Sequence, residues 1–365
     1  MIPRSIVLGV IWMLVIPTQG KAQQDVKSTF IDEIKSLEFS LSAGYVLPHR
    51  EEMNALVTGH STAIGLTWGH EVTEGWTLQR KTKHPIWQGG EVSWIRLGSE
   101  GMGSVWSGLW LNRFPLGRAL FSEMGVGLGV ATSPYDAVEA PFSFALGTRF
   151  NAGLRLAIGM HSATGHHGAW AIKLGMTHFS NGAMRMPNLG VNNIHMVLAK
   201  KLSSDPAPTR ILPNRTTFFS HDIRYQLECS GRLGMRDIDL PGGPRHPTVT
   251  LHGLTHFTHS PTANWRIAAA QEICFNQSLR VTGSEDQRLQ WSTLIGGRGY
   301  FGNTQVTVLQ GYVLKNPDKQ LGRRHLLVTL SQDINRRMGL EIGLRSFRLR
   351  ADHAFLGVNW KFTRS

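Results

Sequence analysis

The residues best suited to chemistry lie at the end of one strongly alternating segment. There, His178 and Ser180 stand two positions apart. They share the parity of an apolar row made up of Trp170, Ile172, Leu174 and Met176. Because alternate residues of a strand point to the same face, a histidine and a serine continue a face that is otherwise hydrophobic. This pair could form the base and nucleophile of a serine hydrolase.

A third polar residue follows on the next alternating segment. Asn192 has the parity of Ile194, Met196 and Leu198. If the two segments form a hairpin, Asn192 can meet His178 across the ~5 Å spacing of neighbouring strands. Ser180 would then be the nucleophile, His178 would carry its proton, and Asn192 would orient the imidazole. The alternative is that all three are interfacial polar residues near strand ends, without chemistry.

Period-two alternation runs from residue 37 to residue 362 and sets the fold class. Leu37, Phe39, Leu41, Ala43 and Tyr45 alternate with polar or small residues, and Leu356, Val358, Trp360 and Phe362 do so near the end. Such segments recur at about ten residues per strand. The prediction is an all-β, antiparallel transmembrane β-barrel of about 12–16 strands.

A soluble β-sandwich also alternates, so other features must decide between the two. The chain holds 11 tryptophans, and its final alternating segment ends in Trp360 and Phe362. Aromatic girdles mark the two interfaces of a membrane barrel, whose interior is polar. Arg266, Glu272, Glu341 and Arg345 fit a polar lumen. These features favour the barrel.

The first residues have the pattern of an export signal. Arg4 precedes an apolar stretch from Ile6 to Ile16, and Gly20-Lys21-Ala22 is a small-x-small cleavage site. No later segment reaches the ~20 apolar residues that a spanning helix needs. We therefore expect a signal peptide over residues 1–22, a periplasmic N-terminal segment over 23–36, and a single barrel over 37–365.

Charge and cysteines add two expectations. The formal net charge of +13 indicates an anionic partner, but the sequence has no basic run or zinc spacing typical of nucleic-acid binding. In an exported protein, the phosphates of lipopolysaccharide or phospholipid fit better. Cys229 shares the parity of Leu227, whereas Cys274 goes with Glu272. Thiols on opposite faces of one wall are hard to bridge, so two free cysteines are expected.

The run His178-Phe179-Ser180-Asn181-Gly182, followed by Pro187-Asn188-x-Gly190-x-Asn192, resembles the lipid A 3-O-deacylase (PagL-type acyloxyacyl hydrolase) family. The resemblance implies a bacterial outer-membrane barrel that removes an ester-linked acyl chain from lipid A without a cofactor. It also implies that His178 is the general base and Ser180 the nucleophile. Asn181, with nearby backbone N–H groups, would stabilise the oxyanion.

Position 192 departs from that family, whose best-known pattern has glutamate where this chain has Asn192. An amide orients an imidazole but stabilises the imidazolium less than a carboxylate does. Outer-membrane phospholipase A is similar in arrangement and uses a His, Ser, Asn trio. The resemblance to the deacylases covers residues 37–202, and residues 203–365 look like a C-terminal barrel extension found in longer acyloxyacyl hydrolase relatives.

The sequence thus predicts an outer-membrane serine esterase that acts on lipid A or lipopolysaccharide. The alternatives left open are a phospholipase A-like lipase, for which a homodimer is an option, and a non-catalytic barrel such as a channel. A second His-containing segment, Thr255-His256-Phe257-Thr258-His259, mimics the first. Its parity places His256 toward the lumen, so a structural role is predicted there.

Overall fold

The structure is a computed structural model that describes residues 36–72, 86–117, 119–162, 170–202, 225–238, 244–257, 265–282, 288–301, 304–318, 321–335, 337–348 and 350–362. Within these ranges the chain is built almost entirely from antiparallel strands, which confirms the predicted fold class. The signal peptide, nearly all of the 23–36 segment and the loop after residue 202 lie outside the described residues.

The first eight strands form a closed barrel, which we call the first barrel. Each strand pairs with its sequence neighbour, and β1 pairs with β8 to complete the wall. The strands are β1 (Ser36–Val46), β2 (Ser61–Val72), β3 (Ile86–Arg96), β4 (Ser104–Pro115), β5 (Leu120–Ala131), β6 (Phe150–His161), β7 (Trp170–Ser180) and β8 (Val191–Lys201).

The next eight strands form a second closed barrel of the same kind, closed by pairing of β9 with β16. The strands are β9 (Tyr225–Asp237), β10 (Arg245–Phe257), β11 (Trp265–Asn276), β12 (Leu289–Phe301), β13 (Thr304–Lys315), β14 (Arg324–Asp333), β15 (Met338–Phe347) and β16 (Arg350–Phe362). Two one-turn helices, Glu51–Asn54 and Leu279–Thr282, connect strands.

The prediction of a single barrel over residues 37–365 is therefore corrected to two barrels. Tyr45 of β1 pairs with Ile194 of β8, so no strand edge is left for β9 to join. The chain accordingly forms two compact units, one containing each barrel. Alternation is the same in both barrels, so it gives the number of strands but not the strand at which a sheet closes.

Each barrel turns an apolar face outward. Exposed outer-row residues include Leu154, Leu156 and Ile158 on β6 and Leu233 on β9. Among the described residues, no helix is long and apolar enough to cross a membrane.

The lumen of the first barrel is filled with side chains rather than open, as expected for eight strands. Charged residues pair across it: Arg113 binds Glu38 at 2.6 Å and Glu123 at 2.8 Å. Glu123 also accepts from Lys173 at 3.1 Å, and Arg155 binds Glu91 at 2.7 Å. All these side chains are buried, so the network ties opposite strands of the wall together.

The second lumen contains a comparable network. Arg232 binds Glu341 at 2.6 Å, and Arg298 binds Glu228 at 2.6 Å. An apolar layer lies within the same barrel and is formed by Leu254, Ala268, Ala270, Leu294, Leu309, Leu327 and Phe355. Both cysteines are free, Cys229 exposed and Cys274 buried, which confirms the prediction made from their parity.

Candidate active site

The outer row of β7 has the composition predicted from its parity. Trp170, Ile172, Leu174 and Met176 are exposed, whereas the intervening Lys173, Thr177 and Phe179 are buried in the lumen. His178 and Ser180 continue the exposed row and are half-buried. Both side chains therefore lie on the outside of the wall, at the end of the strand where the apolar surface stops.

Asn192 meets His178 across the β7–β8 pair. The two residues are register partners, and His178 Nδ1 lies 2.6 Å from Asn192 Oδ1. Asn192 belongs to the half-buried and exposed row of β8 that continues with Ile194 and Met196. Because an amide oxygen only accepts, His178 carries its proton on Nδ1, which leaves Nε2 with a free lone pair. That is the tautomer a general base needs.

The loop between β7 and β8 brings a further polar group to the serine. Asn188 Nδ2 donates to Ser180 Oγ at 2.9 Å. The backbone N–H of Asn181 donates to Asn188 Oδ1 at 3.4 Å, which links the start of the loop to the same amide. Asn181 itself is 1% exposed and follows the lumen-facing Phe179 in register. Asn188 is thus a further candidate residue of the site. The sequence motif contains it, but no role was predicted for it.

The backbone conformation at position 190 explains why the Pro187-Asn188-x-Gly190-x-Asn192 motif contains a glycine. Its φ of +77° is a conformation that residues with a side chain rarely adopt. A Cβ at this position would also lie 3.0 Å from His178 Cε1. The loop can therefore turn close against the imidazole only because residue 190 is glycine. Its N–H donates to Ala145 O at 2.9 Å, which holds the turn in place.

A second histidine reaches the site from the connection after β1. His49 Nε2 lies 2.8 Å from Leu189 O, and His49 Nδ1 lies 3.1 Å from Asn192 Nδ2. The backbone N–H of Leu47 donates to Asn192 O at 2.7 Å, so this connection is tied to the start of β8. Sequence reasoning missed His49, because it lies far from the motif and only closure of β1 on β8 brings it there.

An apolar cluster fixes the strand ends behind the polar residues. Phe179 and Val191, which flank His178 and Asn192, are fully buried in it. The cluster also takes Met53 and Leu56 from the first helix and its end, and Leu97 from the β3–β4 connection. Packing of this kind restricts the backbone of both strands, so the outward side chains start from fixed positions.

The assembled groups have the parts of an acyl-transfer site. Ser180 supplies a hydroxyl, His178 a base held in the required tautomer, Asn192 its orienting partner, and Asn188 a donor beside the hydroxyl. No group of three or more His, Cys, Asp or Glu side chains that could hold a metal ion occurs in the described ranges. Exposed Arg50 and Arg96 lie near the same barrel end.

Comparison with known proteins supports the resemblance within the first barrel. Residues 62–201 match the family model described as lipid A 3-O-deacylase (PagL), a range that contains all four predicted site residues. No curated protein matches the chain.

Among solved structures, a double mutant of the Rhodopseudomonas blastica porin is 11% identical, covers 90% of this chain and 99% of its own, and gives a TM-score of 0.19. A triple mutant of that porin has the same identity and coverage and a TM-score of 0.18. Similarity this low carries no argument about the chain.

Proposed function

We propose, from the family match of residues 62–201, that the first barrel is an outer-membrane esterase that removes an ester-linked acyl chain from lipid A. The observation that carries the proposal is the 2.6 Å contact between His178 Nδ1 and Asn192 Oδ1 on an otherwise apolar outer row. Polar side chains that face hydrocarbon are costly and, where they occur, commonly serve a function. A hydrogen-bonded histidine and asparagine beside a serine on this row therefore support a catalytic role.

In the proposed reaction, Ser180 Oγ attacks the ester carbonyl while His178 Nε2 takes the hydroxyl proton. The tetrahedral intermediate then expels the sugar oxygen of lipid A, which receives that proton from His178. Water, activated by the same imidazole, cleaves the acyl-serine, releases a fatty acid and restores the Ser180 hydroxyl. No cofactor takes part in these steps.

In this proposal the side chain of Asn188 supports the negative charge of the intermediate. The Asn188 amide donates to Ser180 Oγ at 2.9 Å, so it lies within reach of the carbonyl oxygen of a bound ester. Asn181 was also predicted for this role, but its side chain is buried with the parity of Phe179 and its backbone N–H already donates to Asn188 Oδ1 at 3.4 Å. The apolar rows beside the site, including Leu174 and Met196, would receive the acyl chain.

A phospholipase is the second candidate. Asn192 favours it, because outer-membrane phospholipase A is similar in arrangement and uses a His, Ser, Asn trio. In both candidates the substrate reaches the outer wall sideways from the lipid. The exposed basic residues Arg50 and Arg96 suit a phosphate in either lipid.

The test is mass spectrometry of lipid A and phospholipids from cells that express the wild type or Ser180→Ala. Loss of one lipid A acyl chain with the wild type alone supports the deacylase, and lysophospholipid supports the phospholipase. Ser107→Ala is the matched control, because Ser107 is buried in the lumen of the same barrel. If neither lipid changes when the folded wild type is present, the esterase is rejected and a non-catalytic barrel remains.

A further inference from the structure

We infer that His49 is a positioning residue of this site: it fixes the orientation of the Asn192 amide and, through it, the tautomer of His178. The expected effect on kinetics rests on the proposed function, whereas the expected effect on the His178 tautomer does not. The inference depends on a continuous series of contacts that runs from the Leu189 carbonyl through His49 and Asn192 to His178.

An asparagine at position 192 creates a problem that a carboxylate would not. The two oxygens of a carboxylate are equivalent acceptors, whereas an amide has an acceptor on one side and a donor on the other. Rotated by half a turn, Asn192 would present its NH₂ group to His178 Nδ1. The imidazole would then carry its proton on Nε2, and the lone pair needed to deprotonate Ser180 would be lost.

The chain of contacts removes this ambiguity, starting from a group with only one role. The Leu189 carbonyl can only accept, so His49 Nε2 donates to it at 2.8 Å. With its proton on Nε2, His49 can accept at Nδ1, and the group 3.1 Å away is the Asn192 amide nitrogen, which only donates. The amide oxygen must therefore face His178, at 2.6 Å. The Leu47 carbonyl lies 3.5 Å from His49 Nδ1, too far to compete.

The Leu189 carbonyl, which begins this series of contacts, lies in a loop that backbone hydrogen bonds hold in place. The N–H of Leu189 donates to Phe144 O at 3.4 Å, and that of the next residue donates to Ala145 O at 2.9 Å. On the other side, the Leu47 N–H donates to Asn192 O at 2.7 Å, which sets His49 beside the start of β8. His49 therefore bridges two backbone segments that are already fixed, and its ring has one arrangement that satisfies both neighbours.

A double-mutant cycle with Asn192→Asp tests the inference. His49→Phe removes the acceptor at Nδ1 but keeps a ring. We expect kcat/KM for acyl release to fall about tenfold, which corresponds to the contribution of one hydrogen bond. In the Asn192→Asp background, where either oxygen can accept from His178, the same change should cost less than about twofold. His49→Asn, which keeps an acceptor near the position of Nδ1, should recover part of the loss.

Equal losses in the two backgrounds, or no loss in the wild type, would overturn the inference, because a purely structural role of His49 does not depend on residue 192. A second readout does not need activity: ¹⁵N NMR of histidine-labelled protein in micelles, with His178 assigned from the spectrum of His178→Gln. The Nδ1-protonated tautomer is expected in the wild type and a mixture in His49→Phe. An unchanged tautomer contradicts the inference even if the protein has no esterase activity.

Discussion

The two barrels place similar histidine segments on opposite sides of their walls. In the first, His178 continues the exposed row of β7 and bonds to Asn192. In the second, His256 near the end of β10 is 0% exposed, lies 3.2 Å from Glu228 and contacts the Tyr300 hydroxyl at 3.1 Å. Shifting a histidine by one position along a strand therefore changes it from a group on the outside of the wall into part of a buried ion network.

The difference separates what a barrel needs for stability from what it can use for chemistry. In both lumens, buried side chains of opposite charge pair with one another, as in the Arg298–Glu228 and Arg113–Glu38 pairs. The polar groups outside the first barrel bind one another instead, around a serine. We therefore expect substitutions around His178 to change activity and substitutions around His256 to change stability.

The largest effect is expected from exchanging the two histidines for asparagine in turn. His178→Asn removes the proposed base, and hydrolysis should fall about 10⁴-fold with little change in stability. His256→Asn should instead destabilise the fold by about 1–3 kcal/mol, because it removes one of the hydrogen-bond partners of buried Glu228, while activity per folded molecule persists. Acyl-release assays and urea unfolding measure both. Loss of activity in folded His256→Asn would contradict the comparison.

The lumen networks should respond alike in both barrels. Glu123→Gln leaves Arg113 and Lys173 without their shared carboxylate, and Glu228→Gln does the same to Arg298. Breaking a buried pair by removing one partner costs about 3–5 kcal/mol. Urea titration of the refolded protein, followed by tryptophan fluorescence, gives the change in unfolding free energy. A loss below about 1 kcal/mol in either barrel would show that its network does not stabilise the wall.

Asn188 has no counterpart in the buried segment around His256, so its effect should be on rate. Asn188→Asp keeps the size and the acceptor for the Asn181 N–H but removes the donor to Ser180 Oγ. We expect kcat to fall about 10²–10³-fold with the fold intact, the usual effect of deleting one oxyanion donor. Single-turnover assays separate this step from substrate binding. A change confined to KM would assign Asn188 to binding instead.

The smallest predicted effect compares the two outer walls. Leu174 on β7 is 64% exposed and Leu356 on β16 is 67% exposed, each near the middle of its strand. If both walls face hydrocarbon, Leu174→Arg and Leu356→Arg should each cost about 2–4 kcal/mol in lipid vesicles. Leu→Ser at the same positions serves as the milder control. A cost at Leu174 but none at Leu356 would place the second wall outside the bilayer.

Much of this arrangement follows from the sequence because a strand has a period of two. The outward position of His178 and Ser180, the inward position of His256 and the separation of the two cysteines depend on parity alone. The pairing of His178 with Asn192 depends on parity and on one hairpin. Asn188 and Gly190 were visible as motif letters, but their roles depend on the path of a loop, which has no periodicity.

Two features could not be predicted from alternation. The first sheet closes after β8, because β8 is the strand that pairs with β1. The apolar pattern is the same before and after that point, so it does not indicate where the sheet closes. His49 is brought to the site by the same closure, since it follows β1 and contacts the beginning of β8. Both are long-range consequences of ring formation, whereas the predicted features are local or depend on one hairpin.

In the proposed esterase, the filled lumen of the first barrel bears on the route by which the attacking water reaches the site. Lys173, Thr177 and Phe179 are packed inside the wall behind the site, so we expect the water of the proposed reaction to come from the rim where β7 ends. If this rim lies in the headgroup layer of a membrane, as proposed, turnover should depend on the hydration of that layer. A more tightly packed leaflet should then slow hydrolysis of the acyl-serine more than its formation.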